Sequence, residues 1–393
     1  MYRRQAGSWW RRTPLAVAGA VALLAGSGGT PTAQAQAPGP AWRLPASLHS
    51  DRNGLPKECL KTYSLTHVDH VLPNGTRHAA TVAQGAASSD SLARAYYFGD
   101  DGSQVAEIVP PTGWKPVTAT DQELKTYGFP PRPSGRAEFE HWTATMSKWK
   151  APGRPGMCQT NLSAALPDAA RPDGVTNATT SWSWAGGMTV NGSASVNTFT
   201  NSDGMWTQPR FINPCGTTAD ARYSIWSGLG GWNKNRLLQT GTDQGGEMWW
   251  EALAPNLSTN YQVIWTGSTV NAGDTVESYV TYSGDAELFL FDLTTGESQS
   301  AIWSSYRGQG AADFYDGTTA DFITEDTQTS DGSSVFPLAR PVAGYTYYSY
   351  ATVDGRPISY YASWRLDQQN GGYTQQTSNW DGVHAWNDYW HHC

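Results

Sequence analysis

At 393 residues the chain is long enough for two or three domains, and its formal net charge of −8 argues against nucleic acid or an anionic membrane as a partner. Charged residues make up only 15%, while Trp and Tyr number 19 each. That balance indicates β structure with a large aromatic surface. The first residues have the pattern of a secretory signal. Arg3, Arg4, Arg11 and Arg12 form a basic start, Pro14 to Gly26 is a short apolar run, and Ala33-Gln34-Ala35 and Ala35-Gln36-Ala37 are small-x-small cleavage sites. The apolar run is too short to span a bilayer. A signal over 1–37 and a secreted protein are therefore expected.

Charge divides the rest of the chain. Residues 38–174 carry 14 Lys+Arg against 13 Asp+Glu, a net of +1, whereas 175–393 carry 8 against 21, a net of −13. The break falls in the Pro-rich stretch from Pro152 to Pro172. In the first region Ser64 to Ala86 and Ala95 to Val109 read as short strands, with turns at Asn74-Gly75 and Asp101-Gly102. Thr120-Asp121-Gln122-Glu123 has the spacing of a capping box and predicts a short helix reaching Tyr127, stopped by Gly128-Phe129-Pro130-Pro131. Glu138 to Trp149 reads as a second helix, with Phe139, Trp142, Met146 and Trp149 at helical spacing. A small α+β region is expected, either a pro-segment or an accessory domain that stays attached. His67-Val68-Asp69-His70 could hold a metal but reads more simply as a strand.

The second region, 175–393, has no convincing long helix. Short alternating runs follow one another at Ser224–Ser227, Leu237–Thr240, Glu247–Leu253, Tyr261–Thr266, Thr275–Tyr282, Glu287–Asp292, Ser298–Ser304, Thr319–Thr324 and Ser359–Arg365, separated by turns such as Ser283-Gly284-Asp285. Many short strands at this spacing predict an all-β sandwich or barrel. Each region holds two of the four cysteines, and in an exported protein that predicts bridges Cys59–Cys158 and Cys215–Cys393. His391-His392-Cys393 then reads as a pinned tail.

Several hydrolase signatures are absent. There is no His-Glu-x-x-His and no Gly-x-Ser-x-Gly, and Asp316-Gly317-Thr318 and Asp331-Gly332-Ser333 have the wrong order for an aspartic-peptidase loop. Two strand-like stretches remain. In Arg236-Leu237-Leu238-Gln239-Thr240-Gly241-Thr242-Asp243, Leu237 and Gln239 share one face; in Thr319-Ala320-Asp321-Phe322-Ile323-Thr324-Glu325-Asp326, Asp321, Ile323 and Glu325 do.

Leu-Gln-Thr-Gly-x-Asp, then Trp249-Trp250-Glu251-Ala252-Leu253-Ala254-Pro255, then Ala-Asp-Phe-Ile-x-Glu resembles the glutamic peptidases, or eqolisins. Trp182-Ser183-Trp184-Ala185-Gly186 and the turn from Trp226 to Gly231 resemble further motifs of that family, in the same order. The resemblance covers roughly Thr180 to Val342 and implies two packed antiparallel sheets of the lectin-like jelly-roll type. It implies Glu325 as general base and Gln239 as oxyanion donor, with Asp243, Glu251, Asp321, Trp184 and Trp226 in support. No cofactor is implied. Gly230 stands where the family turn carries Asp.

Peptide hydrolysis needs an activated water and a donor for the developing oxyanion. A carboxylate supplies the first; an amide that does not titrate supplies the second even in acid. The expectation is a secreted, monomeric, acid-acting glutamic endopeptidase with protein or peptide substrates. If the first region is a pro-segment, it is also a partner bound within the same chain. The alternative is a carbohydrate-binding β-sandwich or glycosidase, its Trp and Tyr stacking on sugars and Glu251 and Glu325 serving as the paired carboxylates.

Overall fold

A computed structural model of the chain describes residues 61–71, 77–80, 92–99, 103–110, 113–150, 156–164, 178–190, 199–212, 221–232, 235–330, 332, 336–370, 373–377 and 385–392. The signal stretch, Cys59, Cys215 and Cys393 lie outside them, and so do the predicted cysteine pairings. Cys158 is buried and is not a free thiol.

The first region supplies β1 (Lys61–Val71), β2 (Arg77–Ala80), β3 (Leu92–Phe98), β4 (Gln104–Val109), α1 (Asp121–Tyr127), α2 (Arg136–Met146), β5 (Gly156–Gln159) and β6 (Leu162–Ala164). The predicted capping box is present at α1. Glu123 N–H donates to Thr120 Oγ1, Thr120 N–H donates to Glu123 Oε2, and Gly128 closes the helix in the left-handed conformation at φ 71°. Helix α2 starts two residues before the predicted position and stops three earlier. Trp149 leaves the helical path because it has better partners elsewhere: its ring packs on Phe129 at 5.3 Å and its Nε1 donates to Ser298 Oγ at 3.0 Å.

The second region is almost all strand. In chain order come β7 (Ala178–Ser181), β8 (Trp184–Val190), β9 (Asn201–Thr207), β10 (Phe211–Ile212), β11 (Ser224–Gly230), β12 (Leu237–Asp243), β13 (Glu247–Leu253), β14 (Val263–Thr269), β15 (Thr275–Tyr282), β16 (Ala286–Asp292) and β17 (Glu297–Trp303). They are followed by β18 (Ser305–Tyr306), β19 (Gln309–Gly310), β20 (Thr319–Glu325), β21 (Thr327–Thr329), β22 (Arg340–Pro341), β23 (Tyr345–Val353), β24 (Arg356–Pro357), β25 (Ser363–Asn370), β26 (Tyr373–Thr377) and β27 (Trp386–His392). The predicted strand at 359–365 begins later than expected, because residues 358–360 form a 3-10 turn directly after Pro357. His391 and His392 end strand β27, which pairs with both β23 and β26.

Two antiparallel layers face each other, joined at one edge by the pairing of β25 with β26. Sheet I runs β14-β13-β12-β11-β20-β8-β25 and sheet II runs β17-β16-β15-β9-β23-β27-β26. Their facing sides alternate apolar residues into a shared core: Ile225, Leu229, Leu238 and Trp250 from sheet I meet Val280, Leu288, Leu290 and Tyr348 from sheet II. Ser278 Oγ, on β15, donates across the gap to the Thr240 carbonyl of β12 at 3.1 Å. The first region is bound to both sheets. Strand β5 adds to the β14 edge and β4 to the β17 edge, while α1 and α2 cover the outer side of sheet II through Trp142, Met146, Phe289 and Phe291.

Among the described residues His141 Nε2 of the first region lies 2.7 Å from Glu277 Oε1 of the second. The described contact between them combines strand pairing, hydrogen bonds and apolar packing.

Candidate active site

Sheet I has a second apolar face, turned away from sheet II, where Trp184, Met188, Trp226, Trp249, Ile264 and Ile323 cluster. The strand period of two puts the candidate polar residues on this same face. Register then orders them. One row across the sheet reads Glu251, Gln239, Gly228, Asp321, Met188. Another, four residues further along β12 and β20, reads Asp243, Ser224, Glu325, Trp184. Trp226 lies between the two rows on β11.

Two glycines make room for that indole. A Cβ at Gly241 would approach Trp226 Cβ to 2.6 Å and the Ile225 carbonyl to 2.1 Å; one at Gly228 would sit 2.8 Å from the Leu238 carbonyl and 3.1 Å from the Trp226 ring. Gly230 is equally constrained. It has φ +96°, and a Cβ there would meet the Arg236 carbonyl at 2.4 Å and Asp316 Cβ at 3.0 Å. An Asp at position 230 would not fit; Asp316 stands beside the place instead.

Gln239 and Glu251 are in direct contact: Gln239 Nε2 donates to Glu251 Oε2 at 2.9 Å, and Glu251 Oε1 accepts from Ser163 Oγ at 2.6 Å. Gln239 has a second N–H for another acceptor. Glu325 is on the same face, and no hydrogen bond joins it to Gln239. Both its oxygens are buried without a hydrogen bond from any described residue. Burial, and after it the negative charge of Glu251, raises its pKa well above the usual carboxylate value. Trp184 and Trp226 oppose that shift, yet their indole N–H groups complete no hydrogen bond with it. The two rings meet edge-on at 4.9 Å.

The remaining predicted residues serve visible local purposes. Asp243 accepts from the Gly245 and Glu247 N–H groups at 2.9 Å each and so shapes the turn after β12. Asp321 accepts from Thr319 Oγ1 at 3.0 Å, and burial raises its pKa well above normal. Sequence reasoning missed Ser163, because nothing local marks a serine that bonds a carboxylate 88 positions away. It also missed a second buried acidic group on sheet II, formed by Asp203 and Glu277 with His141.

Residues 182–383, just over half of the chain, match the Peptidase A4 family. The chain belongs to that family. It is accordingly a peptide hydrolase of the glutamic, or eqolisin, type. Among solved structures it is similar to scytalido-glutamic peptidase with a transition state analog inhibitor, at 22% identity and TM-score 0.41 over 53% of this chain and 98% of that one. It is also similar to SCP-B, an eqolisin in complex with the tripeptide Ala-Ile-His, at 19% identity and TM-score 0.39 over 53% and 98%. No curated protein matches the chain. Among the described residues no group of three or more His, Cys, Asp or Glu side chains is placed to hold a metal ion, and no helix is long and apolar enough to cross a membrane.

Proposed function

We propose that this eqolisin is a secreted, acid-acting endopeptidase whose reaction is carried by Gln239 and Glu325. The observation behind this reading is the contrast on one face of sheet I. Gln239 is oriented by a hydrogen bond to Glu251, whereas Glu325 is buried with both oxygens unbonded among the described residues. A buried carboxyl with no partner is costly as a structural element and is suited to exchanging a proton with a reactant.

The chemistry follows from these positions. A substrate carbonyl lying over Trp226 would have Gln239 to one side and Glu325 to the other. Glu325 takes a proton from water as the water attacks, and Gln239 donates its free N–H to the oxyanion. Glu325 then returns the proton to the leaving amine. Glu251 touches no reacting atom in this scheme; it positions Gln239. In this structure burial, and after it the Glu251 charge, favours the protonated form of Glu325. Contact with water would let its pKa fall toward the ordinary value of about 4.3, so that both forms of the group are populated in mild acid.

The carbohydrate alternative loses its motivation. The family match over residues 182–383 is to peptidases, and Trp142, Trp206, Trp250, Trp265 and Trp386 are buried in core clusters away from the Gln239 face. The test is casein hydrolysis at pH 3–5 after activation in acid, with an aspartic-peptidase inhibitor present, by the wild type and by Gln239→Ala, Glu325→Gln and Asp321→Asn. Glu325→Gln should be inactive, and Gln239→Ala should lose about 10²- to 10³-fold. Full activity of either would end this assignment, and loss confined to Asp321→Asn would move the base to the carboxyl in Gln239's own row.

A further inference from the structure

Strand β23 of sheet II reaches across the apolar core to the strands behind the site. The Tyr348 hydroxyl donates to the Trp226 carbonyl of β11 at 2.9 Å and to the Ile323 carbonyl of β20 at 2.7 Å, one hydrogen shared between two acceptors. Trp226 and Ile323 stand directly opposite each other in the β11–β20 ladder. Two residues one way along β20 is Asp321, in the row of Gln239; two residues the other way is Glu325. The hydroxyl therefore pins sheet I from the core side, at the pair lying between the Gln239 row and the Glu325 row. The next residue of β20 is held from the same side: Thr324 Oγ1 lies 3.1 Å from Gln375 Oε1 and 3.3 Å from Asp388 Oδ2.

Strand β23 is shaped to aim this one ring. Residues two apart on a regular strand share a face. Tyr348 nevertheless points into the core, while Tyr350 points the other way and stacks on His141 of α2 at 3.9 Å. A register shift between the two, opposite Trp206 and Met205 of β9, makes the difference. Tyr348 has no exposed surface and lies on the Trp386 ring at 4.8 Å and 16°. Burial raises its pKa well above the usual phenol value, so the hydroxyl is a donor throughout the acid range. A buried phenol needs an acceptor in any fold. This one takes two main-chain carbonyls, from adjacent strands of the site.

We propose that Tyr348 is a positioning residue for the peptidase reaction: by holding the Trp226 and Ile323 carbonyls it fixes β11 against β20, and so sets where Glu325 stands relative to Gln239. The proposal rests on the assignment of the reaction to those two residues. The need for it follows from the Glu325 carboxyl, which has no hydrogen bond from any described residue to orient it. Its place is set by its backbone and by packing, and a misplacement of about 1 Å can cost about 10²-fold in rate. Gln239 differs, since Glu251 holds its side chain directly. Tyr348 itself touches no reacting atom.

The test uses the full-length protein after activation in acid. Values of kcat and KM are measured on casein at pH 4 per folded molecule, with urea midpoints read in parallel. Tyr348→Phe keeps the ring and removes the hydroxyl. Tyr348→Met fills the space with a flexible chain, in case the phenylalanine variant does not fold. Tyr315→Phe is the control: its hydroxyl also donates to a main-chain carbonyl, that of Phe199 at 2.7 Å, outside the strands of sheet I. The Tyr348 variants should lose about tenfold or more in kcat. Their KM should stay within about twofold, because a group that orients the base acts in the transition state and not on substrate binding. Tyr315→Phe should lower the urea midpoint and leave kcat unchanged. Wild-type kcat in a folded Tyr348 variant, a rise in KM alone, or an equal loss of kcat in Tyr315→Phe overturns the proposal. With Glu325→Gln inactive, each of those results leaves the peptidase assignment standing. Full turnover by Glu325→Gln overturns both.

Discussion

The outer faces of the two sheets each bury carboxyl groups beneath elements of the first region, but they treat them differently. On sheet II, Glu277 is saturated. His141 Nε2 lies 2.7 Å from Oε1, Tyr279 OH donates to Oε1 at 2.7 Å, and Thr145 Oγ1 donates to Oε2 at 2.9 Å. Beside it, burial and the Glu277 charge raise the Asp203 pKa well above normal. His141 stacks on Tyr350 at 3.9 Å. On sheet I, Glu325 has no such partners, and Gln239 is held at one N–H only. A fully bonded buried acid holds two elements together; an unbonded one is available to a reactant. The comparison separates a clamp, which fastens α2 to sheet II, from a site.

The largest effect expected from this contrast is on rate. In the activated protein Gln239→Ala should lower casein turnover by about 10²- to 10³-fold, with the urea unfolding midpoint little changed. The double variant with Glu325→Gln should be little worse than the poorer single one, because the two act in one transition state. A product of the two losses would show that they act separately.

Glu277→Ala should do the reverse. It removes the acceptor of the buried Thr145 and Tyr279 hydroxyls and of part-buried His141, at a cost to stability of about 1–3 kcal/mol. Turnover per folded molecule should be unchanged. A variant that folds normally and loses turnover would move the site to sheet II.

A smaller effect is expected on the pH dependence of stability. Burial pushes Asp388 up to about 7 despite hydrogen bonds from Thr377 and Thr324. Unfolded, it titrates near about 3.9, so between those values the folded protein binds more protons. Its contribution to stability is fully present below the unfolded value and is lost as pH rises to about 7. The buried acids Glu325, Asp321 and Asp203 shift in the same direction. Urea midpoints should therefore fall between pH 5 and pH 8, and Asp388→Asn should flatten part of the slope. Charge contrast between the two regions suggests loosening in acid; these buried acids work against it.

The smallest effect is local. Thr120→Ala removes the cap of α1 and should cost about 1 kcal/mol, read as a drop in the unfolding midpoint without change in turnover.

Much of this fold is legible in the chain itself. The period-two runs from Leu237, Glu247, Thr275 and Thr319 are strands because alternation forces one face apolar, and the same alternation places Gln239 with Leu237 and Glu325 with Ile323. The capping box at Thr120 needs only four consecutive residues. What escaped was either weakly patterned or non-local. Strand β9, Asn-Ser-Asp-Gly-Met-Trp-Thr, has little alternation to read, and β27, whose last residues read as a pinned tail, is a strand through its partners β23 and β26. Gly230 read as a departure from the family, yet the backbone beside Arg236 and Asp316 leaves no space for a Cβ. Local periodicity sets which residues share a face, and that much the sequence alone determined. Which carboxyl is bonded and which is left open depends on groups 88 and 136 positions away, Ser163 on Glu251 and His141 on Glu277. Only the packing of the first region onto both sheets brings those groups together, so only the tertiary structure could decide it.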